Sequence, residues 1–92
     1  MGWQIEFDAD VEKDFRKIDK QSQRRILEYF RSRVLNSDDP RKLGKALQGN
    51  FSGFWRYRIG DYRAICKIED KKLVILVIAV GQRKNIYRVV KK

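Results

Sequence analysis

Trp3, Ile5 and Phe7 alternate with Gln4 and Glu6, the period-two pattern of a strand with one buried face. The period then changes. Val11, Phe15 and Ile18 fall at helical spacing, behind Asp8 as an N-cap and with acidic residues in the first turn. Ile26, Leu27, Phe30 and Val34 mark a second apolar stripe, capped by Asp19 or Ser22. Arg24, Arg25, Arg31 and Arg33 occupy its other face. The tight connection between the two predicts an antiparallel helical hairpin. Asn-Ser-Asp-Asp-Pro at 36–40 ends the second helix. Pro40 suits the first position of one more helical turn over 41–47, with Gly44, Gly49 and Gly53 marking loops around it.

The remainder returns to period two and predicts strands over about 54–59, 62–69 and 73–80. The last is apolar at every position, so it belongs inside a sheet covered on both faces. The resulting order is β-αα-βββ. It predicts one α+β domain over residues 1–92, an antiparallel β-meander with the two-helix hairpin on one face. The pattern leaves open whether the first strand lies at an edge or beside the last one.

Trp55-Arg-Tyr-Arg-Ile-Gly-Asp-Tyr-Arg63 reads as a hairpin with Gly60-Asp61 as its two loop residues. Glycine at the first loop position suits a type II′ turn, which needs positive φ there. Ile59 then faces Tyr62, and Arg58 faces Arg63. Arg56 shares the arginine face, while Trp55 and Tyr57 point to the core, as do Trp3 and Phe7. Like charges directly opposite are destabilising, so this face is built to meet something anionic. The last strand ends beside the start of its neighbour, which brings Arg83 to the same end, with Tyr87 one step later. Arg56, Arg58, Arg63, Arg83 and Tyr87 are the candidate site. Arginine supplies a permanent planar donor fork for phosphate, and tyrosine a stacking face and a hydroxyl. The plainer alternatives are a solvated strand face for Arg56 and Arg58, pairing of Arg63 with Asp61 or Glu69, and a core-covering Tyr87. The helix-two arginines and Lys91-Lys92 read as solvated surface, with electrostatic steering as their functional option.

Charge sharpens this. Lys and Arg number 22 against 12 Asp and Glu, a net +10 in 92 residues. That exceeds the magnitude of about 2–8 that solubility asks of a small domain. It favours nucleic acid, an acidic protein or an anionic membrane surface as partner. There is no histidine, the commonest metal ligand and acid–base group. Cys66 is the single cysteine, a buried filler by its apolar setting, so neither a disulfide nor a cysteine metal cluster is expected. No N-terminal apolar run follows a basic segment, so no secretory signal is expected, and Glu6 stands where a myristoylation site needs Ser or Thr. The apolar run over 73–80 is far shorter than the ~20 residues of a membrane span. A reduced, cytoplasmic protein without metal or cofactor is expected.

The β-αα-βββ order, Trp55–Arg63 with its Gly-Asp-Tyr-Arg, and Val80-Gly-Gln-Arg83 followed by Tyr87 resemble the RelE/ParE toxin superfamily across nearly the whole chain. The resemblance implies the toxin of a toxin–antitoxin pair, held inactive by an acidic antitoxin that wraps the basic surface. Operator DNA would be met only through that complex. RelE-like members enter the ribosomal A site and cut mRNA, contacting ribosomal RNA as well. ParE-like members inhibit DNA gyrase and are not nucleases. Carried over from the RelE-like pattern, Arg56, Arg58, Arg63, Arg83 and Tyr87 would be the catalytic set, tilting the expectation toward an endoribonuclease. Arginines stand here where typical RelE-like proteins have lysines on the second strand, and Gln82 where some have histidine. The implied chemistry is metal-free attack of a ribose 2′-OH on the adjacent phosphate. Tyr87 is the nearby group whose pKa of ~10 positive neighbours would lower toward use as a base. A basic nucleic-acid-binding module without catalysis is the third reading.

Overall fold

Asp8 and Asp19 cap the two helices, each with a carboxylate oxygen accepting a backbone N–H at 3.0 Å, from Asp10 and Ser22 respectively. The second of these bonds holds the Asp19 carboxyl below the usual carboxylate range. Helix α1 spans Ala9–Arg16 and α2 Lys20–Tyr29. A π-turn, Phe30–Val34, carries α2 onward, closed by the Leu35 N–H donating to the Phe30 carbonyl at 2.7 Å. These coordinates come from a computed structural model and describe residues 2–84 and 86.

The strands are β1 Gln4–Phe7, β2 Lys45–Ala46, β3 Trp55–Ile59, β4 Tyr62–Glu69 and β5 Val74–Gln82, in sheet order β1-β5-β4-β3-β2. The meander β3-β4-β5 is antiparallel, as its pattern predicts. β1 is both an edge strand and the neighbour of β5, to which it runs parallel. β5 is covered on both faces, as a continuous apolar strand requires. On one side the helices supply Val11, Phe15, Ile26, Phe30 and Val34 to a core with Tyr57, Ile59, Ala64, Cys66, Ile75 and Val77. On the other, Leu47 and Phe54 pack on a second cluster of Ile65, Ala79 and Ile86. Cys66 is fully buried, which pushes its thiol pKa up.

Two sequence expectations shift at their edges. The helical turn expected over 41–47 is a 3-10 turn at Pro40–Leu43, after which Lys45–Ala46 join the sheet as β2. Tyr57 explains the change. Its hydroxyl donates to the Pro40 carbonyl at 2.7 Å, and its ring would lie 3.0 Å from a Cβ at Gly44. A Cβ there would crowd that buried ring, and Gly44 is extended rather than helical. The strand expected over 73–80 instead starts at Val74 and continues to Gln82, because Gly81 and Gln82 still pair with Arg63 and Tyr62.

Leu73 has φ +54 in the β4–β5 turn and an exposed side chain. A left-handed conformation costs an L-residue other than Gly or Asn about 1–2 kcal/mol. Leu73→Asn is therefore expected to stabilise the domain by about 1 kcal/mol, read as a higher urea midpoint with unchanged slope. Across the same turn, Arg41 grips Asp70 through two hydrogen bonds of 3.0 and 2.6 Å. This holds the Asp70 carboxyl below its ordinary value of 3.8. A depressed folded-state pKa contributes stability above the unfolded value and loses it as pH falls through the folded one. Asp70→Asn should thus flatten the loss of stability below about pH 4 in acid melts, by a small amount because the pair is solvent-exposed.

Among the described residues, no helix is long and apolar enough to cross a membrane.

Candidate functional site

The hairpin forms with the register its loop dictates. Ile59 pairs with Tyr62 and Arg58 with Arg63. Gly60 takes φ +59 while Asp61 does not enter the positive-φ region, as a type II′ turn requires. Arg56 pairs with Ile65 and lies on the same face as Arg58 and Arg63, while Tyr57 faces the helices and is fully buried. β5 closes the site from the other side. Gly81, which carries no side chain, lies opposite Arg63, and the Arg83 N–H donates to the Asp61 carbonyl at 3.0 Å. Arg83 is thereby tied to the hairpin loop, where it lines a shallow cavity of about 290 Å³ with Asp61, Gln82 and Lys84.

A β-bulge makes this possible. Cys66 pairs with Val77 and Ile65 with Ala79, so Ile78 is the extra residue. Val77 faces the helical core, while Ala79 and Gly81 fall on the arginine face. Without the extra residue, simple alternation would put Val77 and Gly81 on the same side.

Arg63 is only 9% exposed. Its Nη1 donates to the carbonyls of Gly60 and Tyr62, both at 3.0 Å, which fixes the guanidinium over the turn. Burial pushes its pKa down from the ordinary value of 12.5, followed by the charges of Arg58, Arg83 and Arg56, with Asp61 opposing. A guanidinium remains protonated regardless, so the site confines a buried positive charge among three others. Among the described residues, no carboxylate forms an ion pair with Arg58, Arg63 or Arg83. Glu69, one suggested partner of Arg63, lies 3.8 Å from Lys72 instead. Such an arrangement suits an anionic ligand: Arg63 is oriented by backbone carbonyls, and neither it nor Arg58 nor Arg83 is in an ion pair among the described residues.

Four of the five candidate residues thus come together, and Tyr87 lies outside the described residues. Two basic residues were not singled out for this region by sequence. Lys45 stands directly across from Arg56 on β2. No pattern signals it, because a two-residue strand is too short for alternation to register. Arg25 of α2 reaches the hairpin tip, its guanidinium 2.9 Å from where a Gly60 Cβ would be. Helical periodicity locates its face but not the loop it meets.

Comparison with known proteins agrees with this architecture. The family model for the ParE toxin of type II toxin–antitoxin systems matches residues 5–87. The chain is 25% identical to the toxin RelG of Mycobacterium tuberculosis over 88 residues, covering 96% of this chain and 99% of that protein. It is 26% identical to the toxin RelE of the same organism over 86 residues, covering 94% and 87%. Its fold is shared with the toxin–antitoxin complex RelBE2 of M. tuberculosis at TM-score 0.80 and 22% identity, covering 90% of this chain and all of that one. The family model carries the ParE name and the two relatives carry RelE-type names, and these are branches of one superfamily. With a match over nearly its full length, the chain belongs to the ParE toxin family of type II toxin–antitoxin systems, within the RelE/ParE superfamily.

Proposed function

We propose that this toxin is a ribosome-dependent endoribonuclease that cuts translated mRNA in the A site. The observation that carries the reading is the gathering of Arg56, Arg58, Arg63 and Arg83 around one hairpin end, with Arg63 held by two turn carbonyls. In the proposed reaction the ribose 2′-OH attacks the adjacent phosphorus and the P–O5′ bond breaks. The products are a 2′,3′-cyclic phosphate and a 5′-OH. The arginines stabilise charge growing on the phosphorane oxygens, where preorganised donors act most strongly. The ribosome supplies the in-line geometry that a single strand lacks in solution.

Proton transfer is assigned to Tyr87 on sequence grounds. Tyr57 is unsuited to it, since its hydroxyl is buried on the other face, donates to Pro40, and has its pKa pushed up by burial. Tyr87→Phe is expected to slow cleavage about 10²-fold or more in single turnover, and an unchanged rate would remove that hydroxyl from the mechanism.

The proposed inhibitor is an acidic antitoxin segment laid over the same cations, and operator DNA would be met through that complex alone. The match to the ParE family model supports a second reading, a non-enzymatic inhibitor of DNA gyrase. Purified protein separates the two. Cleavage of mRNA on programmed ribosomes with unaffected gyrase supercoiling supports the nuclease, and the reverse result supports the gyrase inhibitor.

A further inference from the structure

Lys45 is the first residue of β2, and its cross-strand partner is Arg56. Directly opposed residues of an antiparallel pair project to the same face. Lys45 therefore stands on the arginine face, in the row Lys45, Arg56, Ile65, Ala79 that crosses the sheet from β2 to β5. The next row holds Arg58, Arg63 and Gly81. One face of a small sheet thus contains two like-charge oppositions, Lys45 with Arg56 and Arg58 with Arg63. Each works against pairing, and the first does so in a strand of only two residues. Lys45 is exposed, and among the described residues it forms no ion pair with a carboxylate. Its neighbour Gly44 is fixed beside the Tyr57 ring, and Leu47 is packed on the Ile65 cluster, so the backbone carrying Lys45 is anchored on both sides.

We propose that Lys45 is a phosphate-contacting residue that extends the site along the RNA, away from the reacting phosphate. This rests on the nuclease reading above. Strands lie about 4.8 Å apart, which puts β2 about 10 Å from β4 across the sheet. One phosphate held at Arg63 does not span that gap. A neighbouring phosphate of the same single strand does, and a flexible ammonium suits it as a point charge with no base preference. Lys45 is accordingly a binding residue, and the bond-breaking step belongs to the arginines at the hairpin end.

The test is binding of a fluorescent single-stranded RNA, 2′-deoxy at every position next to a scissile bond, followed by anisotropy across a salt series. Wild type, Lys45→Gln and Arg83→Gln are compared, with thermal melts of each. Lys45→Gln is expected to lower the slope of log K against log salt by about 0.7, the value for one phosphate contact to a single strand. It should do so equally for RNAs of different sequence. Its melting temperature should stay level or rise, because a like-charge opposition is removed, whereas a structural lysine would lower it. An unchanged slope for Lys45→Gln alongside a reduced slope for Arg83→Gln overturns the Lys45 assignment and leaves the nuclease reading standing. Absence of salt-dependent RNA binding by the wild type also overturns the Lys45 assignment, whereas the nuclease reading is overturned by absence of mRNA cleavage on programmed ribosomes.

Discussion

Arg83→Ala is expected to abolish growth arrest and to lower mRNA cleavage by about 10²–10³-fold, the loss that follows removal of one preorganised donor to a developing oxyanion. The fold should survive. Arg83 is exposed beyond the end of β5, and its tie to the hairpin is a backbone N–H donating to the Asp61 carbonyl, which alanine keeps. Melting temperature and secondary structure should therefore match wild type while activity disappears. Arg63→Ala should be equally inactive but less simple in origin, because it also leaves the Gly60 and Tyr62 carbonyls without their side-chain donor. Arg63→Lys separates the two roles. Lysine restores charge but replaces a planar fork with a single ammonium, which cannot hold two turn carbonyls and present a flat edge to phosphate. Growth arrest restored by Arg63→Lys would mean that charge alone is needed there.

The largest expected loss of stability is at the opposite face, in Tyr57→Ala. The Tyr57 ring is fully buried, packs edge-on against Phe30 at 5.3 Å between centroids, and closes over Gly44. Removing a buried aromatic side chain costs about 3–5 kcal/mol. A domain of this size has only about 5–15 kcal/mol in total, so the variant should be close to unfolding at room temperature. Tyr57→Phe isolates the hydroxyl. It leaves the Pro40 carbonyl without its 2.7 Å donor, for about 1–3 kcal/mol. Urea unfolding of the three proteins gives the order wild type, Tyr57→Phe, Tyr57→Ala. Equal midpoints for wild type and Tyr57→Phe would show that Pro40 finds another donor. Tyr57→Ala should also lose toxicity, but through loss of fold, and its collapsed melt distinguishes it from Arg83→Ala.

Much of this architecture was legible because local chemistry and long-range pairing point the same way. Gly60-Asp61 determines the hairpin register, and the register alone puts Arg58 against Arg63. The same antiparallel logic brings Arg83 to the loop. The edge position and direction of β1 were not legible, since four residues with one apolar face suit any free edge of a sheet. β2 was hidden for another reason: the extended chain at Gly44 passes close against the Tyr57 ring, a contact 13 residues away in the chain. The burial of Arg63 also lay beyond alternation, which assigns a face but cannot foresee a guanidinium folding back onto turn carbonyls. The bulge at Ile78 is the subtlest case. In sequence 73–80 is a uniform apolar run, and nothing in it marks where the faces exchange.

Mapping of RNA 5′ ends after induced expression tests the central idea most directly, because it reads cleavage on translated messages inside the cell. New 5′-hydroxyl ends within reading frames, present with the wild type and absent with Arg83→Ala, are the predicted result. Growth arrest by the wild type with intact messages, accompanied by loss of gyrase supercoiling, would contradict it.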